Sequence, residues 1–224
     1  MRRALDLFCG AGGATKGLQL AGYYVTGVDI EPQPHYIGER FVQDDAMTWL
    51  RGEREPLDSF NLIWASAPCQ YYSELVPPAY RALHPDLLGE TLARLRSQST
   101  PYIVENVAGA RLHFRDAVVL CGSMFGLPIQ RHRWFEIGNV DVFFLLPPCN
   151  HSESPVLVSG RGMRKVNGAR RKENTVAEKR IAMDINWMSS DEIEEAIPPA
   201  YSKFLAEKIS EAKEYDNTRT QMLA

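Results

Sequence analysis

Short apolar runs and amphipathic stretches alternate through the first two thirds of this chain, and almost every apolar run ends on a glycine, a cysteine or a charge. Residues 4–8, 24–28, 61–65, 102–104, 118–121 and 133–137 read as strands. Residues 14–21 and 87–96 read as helices, the first with Gly22 at its C-cap position. Strands alternating with helices predict a doubly wound, parallel α/β sheet. In such sheets ligands collect beyond the carboxyl ends of the strands, which is where the unusual residues stand.

Past residue 138 the alternation decays. Pro147-Pro148 and the glycine-rich stretch 159–168 read as loops. Ser189 or Ser190 is placed to cap a short helix with Asp191 and Glu192 in its first turn, and Pro198-Pro199 starts a last helix whose apolar face is Tyr201, Phe204, Leu205 and Ile209. The expected division is therefore 1–138, an insert over 139–188, and a helical return over 189–224. A chain of 224 residues buries roughly 70–75% of its unfolded surface and needs no disulfide staple. Four cysteines without a hydrophobic leader point to a reducing, cytoplasmic setting, and no apolar run reaches the ~18 residues of a membrane span. A monomer is expected.

Net charge is −3, which by itself does not suggest nucleic acid. Its distribution is more informative: Arg161, Arg164, Lys165, Arg170, Arg171, Lys172, Lys179 and Arg180 face only Glu173 and Glu178 within residues 159–180. A basic stripe on an acidic body suits phosphate neutralisation, and equally a solvated loop.

Asp6-Leu7-Phe8-Cys9-Gly10-Ala11-Gly12-Gly13 joins the first strand to the first helix. Its glycines permit a tight turn and close approach of a ligand to the backbone. The run is not the dinucleotide pattern, since Thr15 stands where a third glycine would. Asp29 ends the second strand, where a carboxylate reaches a ribose or else caps a helix. Asp44-Asp45 ends a third short run, placed either to bond an exocyclic amine or to form a solvated turn. Cys69 follows a buried strand on a proline-held loop, as a nucleophile or as a structural thiol. Glu105 ends the next strand, placed for acid–base work. Arg131 and Arg133, alternate residues of an extended segment, share a face.

Taken in order, Asp6-x-Phe8-x-Gly10-x-Gly12-Gly13, Asp29, Pro68-Cys69-Gln70-x-x-Ser73, Glu105-Asn106-Val107 and Arg131-x-Arg133 resemble the cytosine-C5 methyltransferase family. The resemblance is close over residues 4–138 and loose over 189–210, in a minimal form with a very short target-recognition region. It implies a Rossmann-like methyltransferase sheet with a small irregular recognition insert and S-adenosylmethionine as cofactor. It also implies methyl transfer to C5 of a cytosine flipped out of double-stranded DNA, in a bacterial or virus-infected bacterial cell. Under the resemblance Phe8, Gly10, Gly12, Asp29, Ile30, Asp45 and Pro68 hold the cofactor: Phe8 and Ile30 against the adenine, Asp29 at the ribose, Asp45 at the adenine amino group. Cys69 attacks C6, Glu105 holds and protonates N3, Arg133 contacts O2 and Arg131 an adjacent phosphate. Gln70 and Ser73 meet DNA, with Arg161, Arg164, Lys165, Arg170, Arg171 and Lys172 along its backbone.

The sequence departs from the family at Ala67, in place of a proline, at Ile129, in place of a glutamine, and in Glu192-Ile193-Glu194-Glu195, where a Gln-x-Gly-Asn run is usual. The short insert leaves room for few base-edge contacts, so a short or relaxed target sequence is expected. Cys149-Asn150-His151 offers two metal ligands where a structural zinc needs four, and Cys121 reads as core, so no metal is expected. The same chemistry on RNA, a non-catalytic nucleic-acid-binding module, and transfer of a group other than methyl remain alternatives. The module reading requires damage at Cys69, Glu105 or the glycine loop, and the sequence has none.

Overall fold

The computed structural model describes residues 1–143, 145–159, 164–166, 169–171 and 174–223. Strands β1 (Arg2–Leu7), β2 (Tyr23–Asp29), β3 (Arg40–Gln43), β4 (Leu62–Ala65), β5 (Tyr102–Asn106), β6 (Val118–Leu120) and β7 (Arg133–Gly138) form one sheet in the order β3-β2-β1-β4-β5-β7-β6. Side chains alternate across it. Leu5, Leu7, Ile63, Ala65 and Val104 face a core closed by α2 (Ala46–Leu50) and α4 (Leu88–Arg96). Ala4, Val25, Leu62, Trp64, Ile103 and Phe135 face a second core closed by α1 (Gly13–Leu20) and the long α7 (Pro199–Leu223). With both faces covered, the strands read as nearly continuous apolar runs.

The sheet is not wholly parallel, as the alternation had predicted. β7 runs antiparallel to both β5 and β6. The link into it contains only a 3₁₀ turn over Gly122–Phe125, with no helix to lay across a sheet face, so the chain reverses direction. This reversal positions the site. Leu7 pairs with Val28 and Ala65, and Ala65 with Val104, so β1, β2, β4 and β5 finish at one edge. Because β7 is reversed, its first residues reach that edge too, with Asn106 opposite Trp134.

The insert is less irregular than expected. It includes a two-stranded antiparallel ladder, β8 (Arg164–Val166) with β9 (Ala169–Arg171), and α5 (Val176–Met183). Thr175 starts α5 through a capping box: Glu178 N–H donates to Thr175 Oγ1 at 3.2 Å and Thr175 N–H to Glu178 Oε2 at 2.6 Å. Ser189 and Glu192 repeat the device at α6 (Ser190–Glu195), as the sequence reading placed it. Ala182, Met183, Ile185, Met188 and Ile193 then pack back on Ala11 and Ile129. Two residues of the basic stripe are drawn into this packing. Lys179 is 1% exposed and pairs with Glu194 at 2.8 Å, and Arg180 donates to the Met188 carbonyl. Arg161 and Lys172 lie outside the described residues; Arg164, Lys165, Arg170 and Arg171 belong to β8 and β9.

Candidate active site

Cys69 sits on the loop leaving β4. Asn106, at the end of β5, donates its side-chain amide to the Ala67 carbonyl at 2.9 Å and holds that loop against the sheet edge. The next turn is fixed by Tyr72 N–H donating to the Cys69 carbonyl at 3.0 Å and by the Tyr72 hydroxyl on Asp86. Beside it Glu105 is 5% exposed and pairs with Arg133 Nε at 2.9 Å. Burial pushes the Glu105 carboxyl above its usual range, against the opposing pull of Arg133 and Arg131. Burial and then Glu105 raise the Cys69 thiol, and the two arginines lower it. The arrangement thus sets a thiol and a buried carboxyl beside two arginines.

Arg131 is 7% exposed. Its guanidinium, expected at a phosphate, donates to Ser159 Oγ at 2.9 Å and to the Glu194 carbonyl at 2.8 Å, while the Tyr201 hydroxyl donates to its backbone carbonyl at 2.6 Å. It therefore ties the entry to β7 to the insert, to α6 and to α7. Ser159 and Glu194 escaped sequence reasoning because nothing near them in sequence signals such a contact. A cavity of about 1020 Å³ opens in front of these groups, lined by Cys69, Gln70, Ser73, Arg131, Arg133 and Glu195 among others.

The glycine loop lies at the neighbouring strand ends. Phe8, Gly10 and Gly12 have φ of 58°, 50° and 87°, so the chain passes the left-handed region three times in five residues. For Phe8 that conformation is strained, and strain of this kind gathers at binding sites. Asp29, expected at a ribose, anchors the loop: Oδ2 accepts from Gly10 N–H at 2.9 Å and Oδ1 from Glu31 N–H at 3.0 Å. Trp187 closes the far side, donating Nε1–H to the Ala11 carbonyl at 2.9 Å. Of the aspartate pair, Asp44 is taken by Arg54 and Trp49, which hold its carboxyl down at about 2. Asp45 caps α2 through one oxygen.

A cofactor fits here on three observations. A Cβ built at Gly10 meets nothing within 4 Å, so the loop backbone faces open space. Ile30 is 66% exposed beside it. Beneath it Asp6 Oδ1 is buried without a hydrogen-bond partner among the described residues. Burial raises the Asp6 carboxyl to about 7, while Oδ2 accepts from Thr15 Oγ1 at 2.5 Å. Glu195 joins the two halves: it lines the cavity, and burial followed by the nearby Asp29 charge raises its carboxyl.

The seven-stranded sheet with its reversed β7, and a glycine loop beside a cysteine loop at one edge, define the Rossmann-like α/β fold of methyltransferases. Two solved structures share it: the Dnmt2 methyltransferase of S. pombe (TM-score 0.56, 15% identity, covering 92% of this chain and 97% of that one) and the Entamoeba histolytica methyltransferase EhMeth (TM-score 0.59, 10% identity, 93% and 98%). Among curated proteins the chain is similar to the Type II methylase M.HgiDII of Herpetosiphon aurantiacus, at 28% identity over 182 residues, 67% of this chain. It spans about half (51%) of that relative's length. No family model matches the sequence. Among the described residues no helix is long and apolar enough to cross a membrane.

Proposed function

We propose that the chain is an S-adenosylmethionine-dependent DNA cytosine-C5 methyltransferase. The observation that carries this reading is the placing of Cys69 and the buried Glu105–Arg133 pair at adjacent strand ends, beside one cavity. Phe8, Gly10, Gly12, Asp29, Ile30, Asp45 and Pro68 hold the cofactor, which supplies an electrophilic methyl group. The backbone of residues 10–12 gives close approach, Asp45 offers its second oxygen, and Asp29 acts by keeping the loop in shape.

Cys69 Sγ attacks C6 of a cytosine extruded into the cavity. Glu105, whose carboxyl burial raises against the pull of Arg133 and Arg131, holds N3 and delivers a proton to it as Cys69 adds, so that attack yields a neutral ring in place of a charged one. Arg133 and Arg131 favour the Cys69 thiolate, against burial and the Glu105 charge. Arg133 steadies Glu105 and meets the base O2; Arg131, its guanidinium held by Ser159 and the Glu194 carbonyl, keeps the cavity wall and the entry to β7 in place. With the methyl on C5, loss of the C5 proton to solvent, departure of Cys69 as thiolate and return of the N3 proton to Glu105 release the product. Gln70 and Ser73 border the entrance, and Arg161, Arg164, Lys165, Arg170, Arg171 and Lys172 supply backbone contacts from the insert.

Expression in a host without cytosine methylation, followed by base-resolution mapping of 5-methylcytosine, tests the reading. Methyl marks in a short sequence context are expected, with Cys69→Ala reducing them to below a few per cent while folding and cofactor binding persist. Marks on RNA alone, or full methylation by Cys69→Ala, would overturn it.

A further inference from the structure

Four side chains that the proposed chemistry does not use meet behind the arginine strand. Cys121 follows β6, His132 lies between Arg131 and Arg133, and Cys149 and His151 come from the segment after β7. Their four ligand atoms all lie within 4.8 Å of one another. Cys121 Sγ is 3.4 Å from His151 Nε2, and Cys149 Sγ is 3.4 Å from His132 Nε2. The two imidazoles stand nearly perpendicular, at 80°, with ring centroids 5.0 Å apart.

We propose that Cys121, His132, Cys149 and His151 form a tetrahedral zinc site. Zinc–sulfur bonds of about 2.3 Å and zinc–nitrogen bonds of about 2.0–2.1 Å place sulfur and nitrogen roughly 3.5 Å apart at tetrahedral angles. The two sulfur–nitrogen separations of 3.4 Å already have that value. No pair needs to close by more than about 1.5 Å. Two thiolates and two imidazoles with no carboxylate form a soft donor set that selects zinc over magnesium or calcium. All four positions are taken by protein, which is the pattern of a structural ion and not of a catalytic one.

The surroundings are those of a ligand shell. Ser123 Oγ donates to Cys121 Sγ at 3.4 Å and accepts from Asn150 N–H at 3.1 Å. One hydroxyl thus orients a thiolate and the segment that brings Cys149 and His151. Bound metal would staple this segment, whose described residues between β7 and His151 include no helix or strand, onto the sheet edge. It would also fix His132, and with it the backbone from which Arg131 and Arg133 reach the cavity. The expectation of no metal counted only Cys149 and His151, because the other two ligands arrive through the fold.

The test needs no catalytic activity. The full chain, purified without chelator and dialysed, should contain about one zinc per molecule. Cobalt substitution should give the visible bands of a tetrahedral site together with thiolate-to-cobalt charge transfer. Cys149→Ser and His151→Ala, both at exposed positions, should lose the metal while keeping far-ultraviolet circular dichroism. Ser123→Ala should weaken zinc binding by roughly 10–100-fold. Substoichiometric metal after growth with added zinc, metal retained by both ligand variants, or a Cys121–Cys149 disulfide found by non-reducing peptide mapping would each overturn the proposal.

Discussion

Asp6 shows how one buried group sets the pH response. It is 0% exposed, and burial raises its carboxyl from 3.8 to about 7. A group raised on folding contributes stability that is fully present below its unfolded value and lost as pH rises through its folded value. Asp6 should therefore weaken the fold between about pH 4 and 7. At about 1.4 kcal/mol per unit, the difference is up to about 4 kcal/mol. Asp6→Asn keeps an acceptor for Thr15 and has no proton to lose. Urea unfolding at pH 5 and pH 8 should show a larger drop for the parent than for Asp6→Asn; equal drops would place the ionisation elsewhere.

At the scale of elements, the contact between α1 and α7 is set by one missing methyl group. A Cβ at Gly17 would overlap Ser202 Oγ and the Pro199 carbonyl, and Ser202 Oγ also donates to the Ala14 carbonyl at 2.8 Å. Gly17→Ala should destabilise the protein by about 1–3 kcal/mol through overpacking, despite the better helix propensity of alanine. A thermal melt unchanged from the parent would mean that the helices slide apart freely. Elements like α1 and α6 were legible in the sequence because their signals are local: glycines after a strand, Ser189 three residues before Glu192. The motif residues were legible for the same reason, each standing at the end of its own strand. Thr175-x-x-Glu178 carried the same capping signal for α5 and was passed over beneath the charge of its neighbours. The reversed β7 and the Cys121–His132–Cys149–His151 cluster have no local signature. Both depend on which segments the sheet order brings side by side. Lys179 shows the converse, a charge that read as solvated and lies buried against Glu194.

Across the whole molecule, charge is segregated. If the insert lies along a nucleic-acid backbone, affinity should fall steeply with salt, each neutralised phosphate adding about −0.9 to the logarithmic slope. Replacing Arg170, Arg171 and Lys172 by alanine should flatten that slope by up to about three units and leave the target sequence unchanged, because phosphate contacts position while base contacts specify. Filter binding over a salt series reads the slope directly; an unaltered slope would make the stripe a solvated one. The packing of α7 on α1 also has a consequence in time. One face of the sheet, with Ala4, Val25 and Trp64, is covered by Tyr201, Leu205 and Ile209. On a ribosome adding about 5–20 residues per second, on the order of 10–40 s separate the end of α1 from the arrival of α7. Throughout that interval this face of the sheet lacks its α7 cover, and the glycine loop waits for Trp187. The binding site is therefore completed only once Trp187 and α7 have been made, long after the loop and strand that carry Phe8 and Asp29.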